Sequence, residues 1–170
     1  MRKILVTPRS FHTFKHKESQ GYEILENTTG RTLSEGELLE YAKQNIVGII
    51  VGIDPLPEST LRQFTGLKAI SKYGVGLDNI DLVTAAELGI KVKNAVGTNN
   101  ISVAELTIGF LFCLARHIPS TAVDVKNGKW TRIVGTEITG KTMGLVGLGR
   151  IGNEVALRAR GLMMSVCAYD

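Results

Sequence analysis

Residues 142–170 read TMGLVGLGRIGNEVALRARGLMMSVCAYD, and the fold is decided there. Thr142 to Val146 is a short apolar run of the buried-strand type, and it leads without a linker into Gly147-Leu148-Gly149-Arg150-Ile151-Gly152. The apolar periodicity that follows predicts a helix to about Arg160, and Ser165 to Tyr169 predicts a second strand. A strand, a glycine turn, a helix and a strand form the unit that binds a dinucleotide diphosphate. In such a unit Gly147 makes the tight turn, Gly149 lets the backbone approach the pyrophosphate, and Gly152 lets helix and strand pack closely. The helix start, carrying Arg150 and Ile151, adds free N–H groups and a partial positive charge. Asp170 closes the second strand about 20 residues past the turn, where a carboxylate accepts the adenosine ribose hydroxyls. A carboxylate there repels a 2′-phosphate, so NAD is expected in preference to NADP.

Toward the N-terminus the same vocabulary repeats. Ile4 to Thr7, Tyr22 to Glu26, Val47 to Val51, Leu67 to Ser71 and Ile90 to Val92 read as strands, alternating with amphipathic helical segments. Ser34 with Glu37 three residues later is a capping box ahead of a helix through Tyr41. Pro57 and Glu58 start a short helix, and Asp81 to Leu88 is a further one that Gly89 ends. From Ile101 to His117 the apolar residues fill more than one face, which predicts a helix buried on several sides, within the chain or against a second subunit. Pro119 is expected to stop it. The stretch around Asn127-Gly128-Lys129-Trp130 is too rich in turn residues for a regular helix. Together these segments predict an α/β protein whose parallel sheet is covered by helices.

Bulk composition narrows the function class. Of 170 residues, 44% are hydrophobic and charges of both signs are mixed, which excludes a disordered chain. The formal charge of +4 comes from scattered lysines and arginines, none in a run longer than Arg2-Lys3, so no nucleic-acid patch is predicted. Cys113 and Cys167 are isolated and apolar in context, which predicts reduced core thiols in a cytoplasmic protein, and their spacing matches no metal site. The apolar start Ile4-Leu5-Val6 ends at Thr7-Pro8, too short for a signal peptide, and Leu106 to Ala115 is too short to span a bilayer.

A second motif, Lys72-Tyr73-Gly74-Val75-Gly76-Leu77-Asp78-Asn79-Ile80-Asp81, lies between a strand and a helix. Glycines at the carboxyl end of a parallel strand make a turn whose amides can face an anion, although an ordinary βα turn has the same composition. This segment, with Gly97-Thr98-Asn99-Asn100-Ile101-Ser102-Val103-Ala104-Glu105 and the glycine turn at 147–152, resembles the D-2-hydroxyacid dehydrogenase family in order, spacing and wording. It is most similar to the phosphoglycerate dehydrogenase branch. The match runs from about Leu67 to Asp170. Relatives usually carry a proline where this sequence has Val96.

The resemblance implies a flavodoxin-like substrate domain over residues 1–95, followed over 96–170 by the first part of a Rossmann NAD-binding domain. It implies that Gly74, Val75 and Gly76 present amides to the substrate carboxylate, that Asn99 lies beside the reacting carbon, and that Val103 and Glu105 border the nicotinamide. It also implies a homodimer, formed through the helix at Ile101–His117 and an arm from Val123 to Trp130. The family's catalytic arginine, glutamate and histidine come later than the second strand of the cofactor domain, and nothing in this chain matches them. His12, His16 and His117 are the only histidines, and none is expected to be a catalyst. The expectation is therefore a truncated dehydrogenase polypeptide, inactive alone, whose family function is NAD-dependent oxidation of 3-phosphoglycerate in serine biosynthesis. A glyoxylate or hydroxypyruvate reductase, and a non-catalytic NAD-responsive interaction module, are the alternatives.

Overall fold

The computed structural model describes residues 1–9 and 21–170. Residues 10–20, which include His12 and His16, lie outside the described residues. The chain divides into two compact units, Met1–Val96 and Gly97–Asp170.

The first unit is a five-stranded sheet of β1 (Arg2–Val6), β2 (Tyr22–Glu26), β3 (Ile46–Val51), β4 (Ala69–Lys72) and β5 (Lys91–Asn94), in the order β2-β1-β3-β4-β5 with every pair parallel. That order is the flavodoxin-like doubly wound one. The chain steps outward from β1 to β2 on one side and then from β3 to β5 on the other. β3 is central and reads Ile-Val-Gly-Ile-Ile-Val, the continuous apolar run that a strand covered on both faces requires. Helices α1 (Glu35–Ala42), α2 (Glu58–Leu61) and α3 (Leu82–Glu87) connect the strands. Leu5, Leu38, Ile49, Leu56, Leu61 and Ile70 are almost fully buried in one cluster, each contributing roughly 1.5–3 kcal/mol of burial energy. Strand boundaries differ from the sequence expectation by one or two residues. Leu67 is buried but precedes β4, and Thr7 follows β1 while its N–H still donates to Ile50 O at 2.9 Å.

The capping box at Ser34 forms as expected. Glu37 N donates to Ser34 Oγ, and Ser34 N donates to Glu37 Oε2 at 2.9 Å. Arg31 adds a two-pronged contact to the same carboxylate, at 2.8 and 2.7 Å. Arg31 first, and then the amide and hydroxyl of Ser34, hold the Glu37 carboxyl down at about 2.

In the second unit β6 (Thr142–Val146) and β7 (Ser165–Tyr169) pair in parallel, joined by α6 (Arg150–Gly161). Helix α4 (Asn100–Arg116) packs on α6, with Ala104, Val155 and Ala159 buried and Arg158 3.9 Å from Glu105. The expectation of burial on several sides of α4 is not met within this chain. Leu106, Phe110 and Leu114 are all more than half exposed.

Pro119 does not simply stop that helix. His117 takes a left-handed turn (φ 54°) that ends α4, and a new helix, α5 (Ile118–Lys126), starts at once with Pro119 as its second residue. Proline suits the first turn of a helix because its missing N–H has no partner to lose there. Pro119 thus initiates a helix where the sequence pattern predicts that it ends one. Asn127 to Trp130 lies beyond α5 and is non-helical, as expected.

Helix α6 ends in a Schellman arrangement. Met164 N donates to Ala159 O at 3.1 Å and Met163 N to Arg160 O at 3.0 Å. The residue at the left-handed position is Met163, φ 59°, where glycine has no steric penalty.

Two outcomes follow. Met163→Gly raises stability by roughly 0.5–1 kcal/mol, since the left-handed strain it relieves exceeds the entropy that glycine adds to the unfolded chain; urea denaturation measures this. A midpoint that falls would contradict the strain assignment. For Glu37 the folded pKa is depressed, so its contribution is present above the unfolded value of 4.5 and is lost as pH falls toward about 2. The stability gap between the wild-type chain and Glu37→Gln therefore narrows as pH drops below 4.5, and a gap constant with pH would count against it.

Candidate functional site

In the second unit the glycine turn has the geometry its spacing predicts. Gly147 lies at φ 98°, and its N–H donates to Tyr169 O at 2.7 Å, which ties the turn to the end of β7. Gly149 is the residue before the first turn of α6 and has extended backbone. A Cβ on it would meet nothing within 4 Å, so this side of the turn is open. A Cβ on Gly152 would collide with the Gly147 carbonyl. The carbonyls of Leu148 and Gly149 are both taken by Asn153 Nδ2, at 2.5 and 3.0 Å. With these acceptors satisfied, the amides that begin α6, at Arg150 and Ile151, are the donors that a helix start leaves without an intrahelical partner. Asp170 is held beside them, its Oδ1 accepting from Leu148 N at 3.0 Å.

The same unit brings Arg150 next to Gly97. Gly97 is at φ 83°, and a Cβ there would sit 3.7 Å from the Arg150 guanidinium. Asn99, at the start of α4, makes no side-chain capping bond. Its Oδ1 is a buried acceptor with no partner among the described residues. Its backbone carbonyl is used by Val103 N and Ser102 Oγ, both at 3.0 Å. Val103 lies half-buried in the first turn of α4, and Glu105 is largely exposed.

In the first unit the loop after β4 is built on the same principle. Gly74 sits at φ 142°; its carbonyl accepts from Ala95 N at 2.9 Å, and the Val75 carbonyl accepts from Asn94 Nδ2 at 2.6 Å. Gly76 is packed close to Asp78, whose Oδ2 would lie 3.0 Å from a Cβ. Two carbonyls are thus drawn back toward β5, the tethering of acceptors that an anion-facing turn requires.

Beneath that loop is a staple that sequence reading did not single out. Lys72 is 8% exposed, and its Nζ donates to Gly52 O at 2.5 Å and to Asn79 Oδ1 at 2.6 Å. Asn79 Nδ2 in turn donates to Asp54 O at 2.6 Å. Burial pushes the Lys72 ammonium pKa down, while Asp78 and Asp54 pull the other way. Asp54 is itself buried, with Oδ1 accepting from Leu33 N at 2.7 Å and Oδ2 from Thr7 Oγ1. Apart from Lys72 and Asn79, which are seven residues apart, these partners lie 20 to 47 residues apart, beyond the reach of any local motif. Beside them, at the carboxyl ends of β1 and β3, is a cleft of about 600 Å³.

Elsewhere the chemistry is sparse. His117 joins α4 to α5, both cysteines are free but neither is the core thiol expected, Cys113 being half-buried and Cys167 exposed, and no cluster of metal-ligating side chains exists among the described residues. Among the described residues no single helix is long and apolar enough to cross a membrane.

Comparison with known proteins agrees with this architecture. The family described as D-isomer specific 2-hydroxyacid dehydrogenase, catalytic domain, matches residues 4–165. The chain is 41% identical over 173 residues to a D-3-phosphoglycerate dehydrogenase of Methanocaldococcus jannaschii, covering all of this chain and 32% of the relative. It is 40% identical over 144 residues to a hydroxypyruvate reductase of Thermotoga maritima, covering 84% of this chain and 47% of the relative. Among solved structures, the TT0316 protein of Thermus thermophilus superposes with a TM-score of 0.88 at 31% identity, over 99% of this chain and 55% of that one. An NAD+-bound 3-phosphoglycerate dehydrogenase of Entamoeba histolytica gives 0.77 at 29% identity, over 99% of this chain and 53% of that one. The chain thus spans about a third of the phosphoglycerate dehydrogenase and about half of the solved chains.

The contact between Gly152 and the Gly147 carbonyl is backbone against backbone, so it cannot be relieved by a side-chain rotation. Gly152→Ala should cost about 1–3 kcal/mol as the turn and α6 are forced apart, read as a lower denaturation midpoint. A variant as stable as wild type would mean that the turn is not packed against the helix.

Proposed function

This chain belongs to the D-isomer specific 2-hydroxyacid dehydrogenases, and on that premise we propose that it forms the binding portion of an NAD-dependent oxidoreductase of D-2-hydroxyacids. The first choice of substrate is 3-phosphoglycerate, in serine biosynthesis. The single observation that carries the reading is the turn at Gly147–Gly152. One face is open at Gly149, its carbonyls are tied to Asn153, and Asp170 is held at its side.

The residues present fit the cofactor. The amides of Arg150 and Ile151 and the positive end of α6 suit a diphosphate, and the Arg150 guanidinium adds a full charge. The Asp170 carboxylate suits two ribose hydroxyls and disfavours a 2′-phosphate. Val103 and the unpartnered Asn99 Oδ1 suit the nicotinamide end and the reacting carbon. Bound NAD supplies the hydride acceptor for conversion of a 2-hydroxy to a 2-oxo acid. In our reading, the first unit fixes the substrate carboxylate on the amides of Gly74, Val75 and Gly76, with the Lys72 ammonium reinforcing the field beneath them. His117 is assigned no acid/base role, and the family's catalytic arginine, glutamate and histidine have no match in these residues. The second unit's cofactor fold is read as the first part of a Rossmann domain.

A homodimer fits the apolar surface on α4 and the largely exposed Trp130, and two free thiols fit a reducing cytoplasm. Hydroxypyruvate reduction is the second reading, supported by the Thermotoga maritima relative of that name.

Calorimetric titration checks the cofactor assignment. NAD is expected to bind more tightly than NADP. Gly149→Ala should remain as stable as wild type, since its Cβ meets open space, yet bind NAD about tenfold or more weakly, some 1.4 kcal/mol. Equal NAD affinity in that variant would place the diphosphate elsewhere. Mixed with 3-phosphoglycerate or glycerate and NAD, the 170-residue chain is expected to form no NADH, and steady absorbance growth at the reduced-nicotinamide band would refute the catalytic assignment.

A further inference from the structure

The loop from Tyr73 to Asp78 runs between β4 and the residues that lead into α3, and one pair of side chains joins its two ends. Lys72 is the last residue of β4 and Asn79 the first beyond the loop. Lys72 Nζ donates to Asn79 Oδ1 at 2.6 Å, across seven positions of chain. A bond between the ends of so short a segment acts as a cross-link, because it removes most of the shapes that the residues between could take.

The link is itself fixed from below. Lys72 Nζ also donates to Gly52 O, and Asn79 Nδ2 donates to Gly52 O at 3.2 Å and to Asp54 O at 2.6 Å. Both polar atoms of the Asn79 side chain are therefore in use. Asp54 anchors this wall, its carboxylate accepting from Leu33 N at 2.7 Å and from Thr7 Oγ1. Main-chain bonds set both ends of the loop against the same stretch. Tyr73 N donates to Val51 O at 2.8 Å, Leu56 N to Asn79 O at 2.7 Å and Asp81 N to Leu56 O at 3.0 Å. The lysine passes directly under the loop, its Cε 3.6 Å from the place where a Cβ on Gly74 would stand. At 8% exposure, an ammonium without its acceptors would carry a heavy desolvation cost. Lys72 is thereby confined to the position that Asn79 and Gly52 define.

We propose that Lys72 and Asn79 are positioning residues, which act together by stapling the base of the loop so that Gly74 to Gly76 stand in one conformation before any ligand arrives. A loop that samples many shapes binds more weakly by the fraction of time it spends in the competent one, and the staple raises that fraction. The consequence for substrate rests on the reading of this loop as the carboxylate site. The rigidity of the loop is measured apart from that reading, so the two fail separately.

Backbone NMR relaxation of the 170-residue chain, followed by titration with D-lactate, is the test. D-lactate carries a carboxylate and a hydroxyl and no other charge. In the free wild-type chain, Gly74 to Asp78 should show order parameters near those of β3 and β4, about 0.85. Values below about 0.6 in that loop would overturn the proposal without any substitution. Lys72→Met keeps the stem and removes the ammonium, and Asn79→Ala removes both halves of the amide. Each should lower the loop order parameters to about 0.6 or less, with the signals of the sheet unchanged, and weaken D-lactate binding about tenfold. The double variant should lose no more than either single one, since two ends of one link act as a unit. Losses that add would overturn the staple, as would a folded single variant whose loop stays as ordered as wild type. A rigid loop that both variants loosen, with no amide of Gly74 to Gly76 shifted by D-lactate, would support the staple and overturn the carboxylate assignment instead.

Discussion

A peptide group carries one donor and one acceptor, and a protein that offers its amides to a ligand must first satisfy the carbonyls beside them. Both candidate binding turns obey this constraint. At Gly74 and Val75 the carbonyls are taken by Ala95 N and Asn94 Nδ2. At Leu148 and Gly149 they are taken by Asn153 Nδ2. In each case a side-chain amide close to the loop does the tethering, and the donors are left at the carboxyl edge of a parallel sheet. Two unrelated loops thereby share the arrangement on which our proposal of anion sites rests. Positive charge lies close to each, from Lys72 below the first loop and from Arg150 and the helix start within the second.

The two units differ in how completely they are covered. In the first, β3 lies between β1 and β4 and the core cluster is closed around it. In the second, two strands pair only with each other, and Val146, Leu157 and Tyr169 are largely exposed, as is Leu114 of α4. An apolar surface of that kind is characteristic of a region that meets another polypeptide surface. The dimer reading draws its support from this distribution of burial.

Features set by short spacing were legible in the sequence. The glycine turn, the capping box at Ser34 and the alternation of strands and helices are decided within a few residues, by backbone freedom and side-chain reach. Helix α5 was missed because proline has opposite meanings at the end and the start of a helix. Deciding between them needs the left-handed turn at His117, which no rule of composition assigns to histidine. Met163 gave no sign of its strained position for the same reason. The Lys72 staple and the Asp54 anchor were invisible because their partners meet only after the sheet has formed. Thr7 and Asp54 stand 47 residues apart, on neighbouring strand ends.

Amide hydrogen exchange on the whole chain, with and without NAD, addresses the central claim most directly. If the amides at the start of α6 are released donors, Arg150 and Ile151 exchange rapidly in the free chain and slow markedly when NAD is added, while Gly74 to Gly76 do not respond to NAD. Exchange at Arg150 and Ile151 that is already slow without NAD, and indifferent to it, would contradict the claim that these turns hold donors in readiness for an anion.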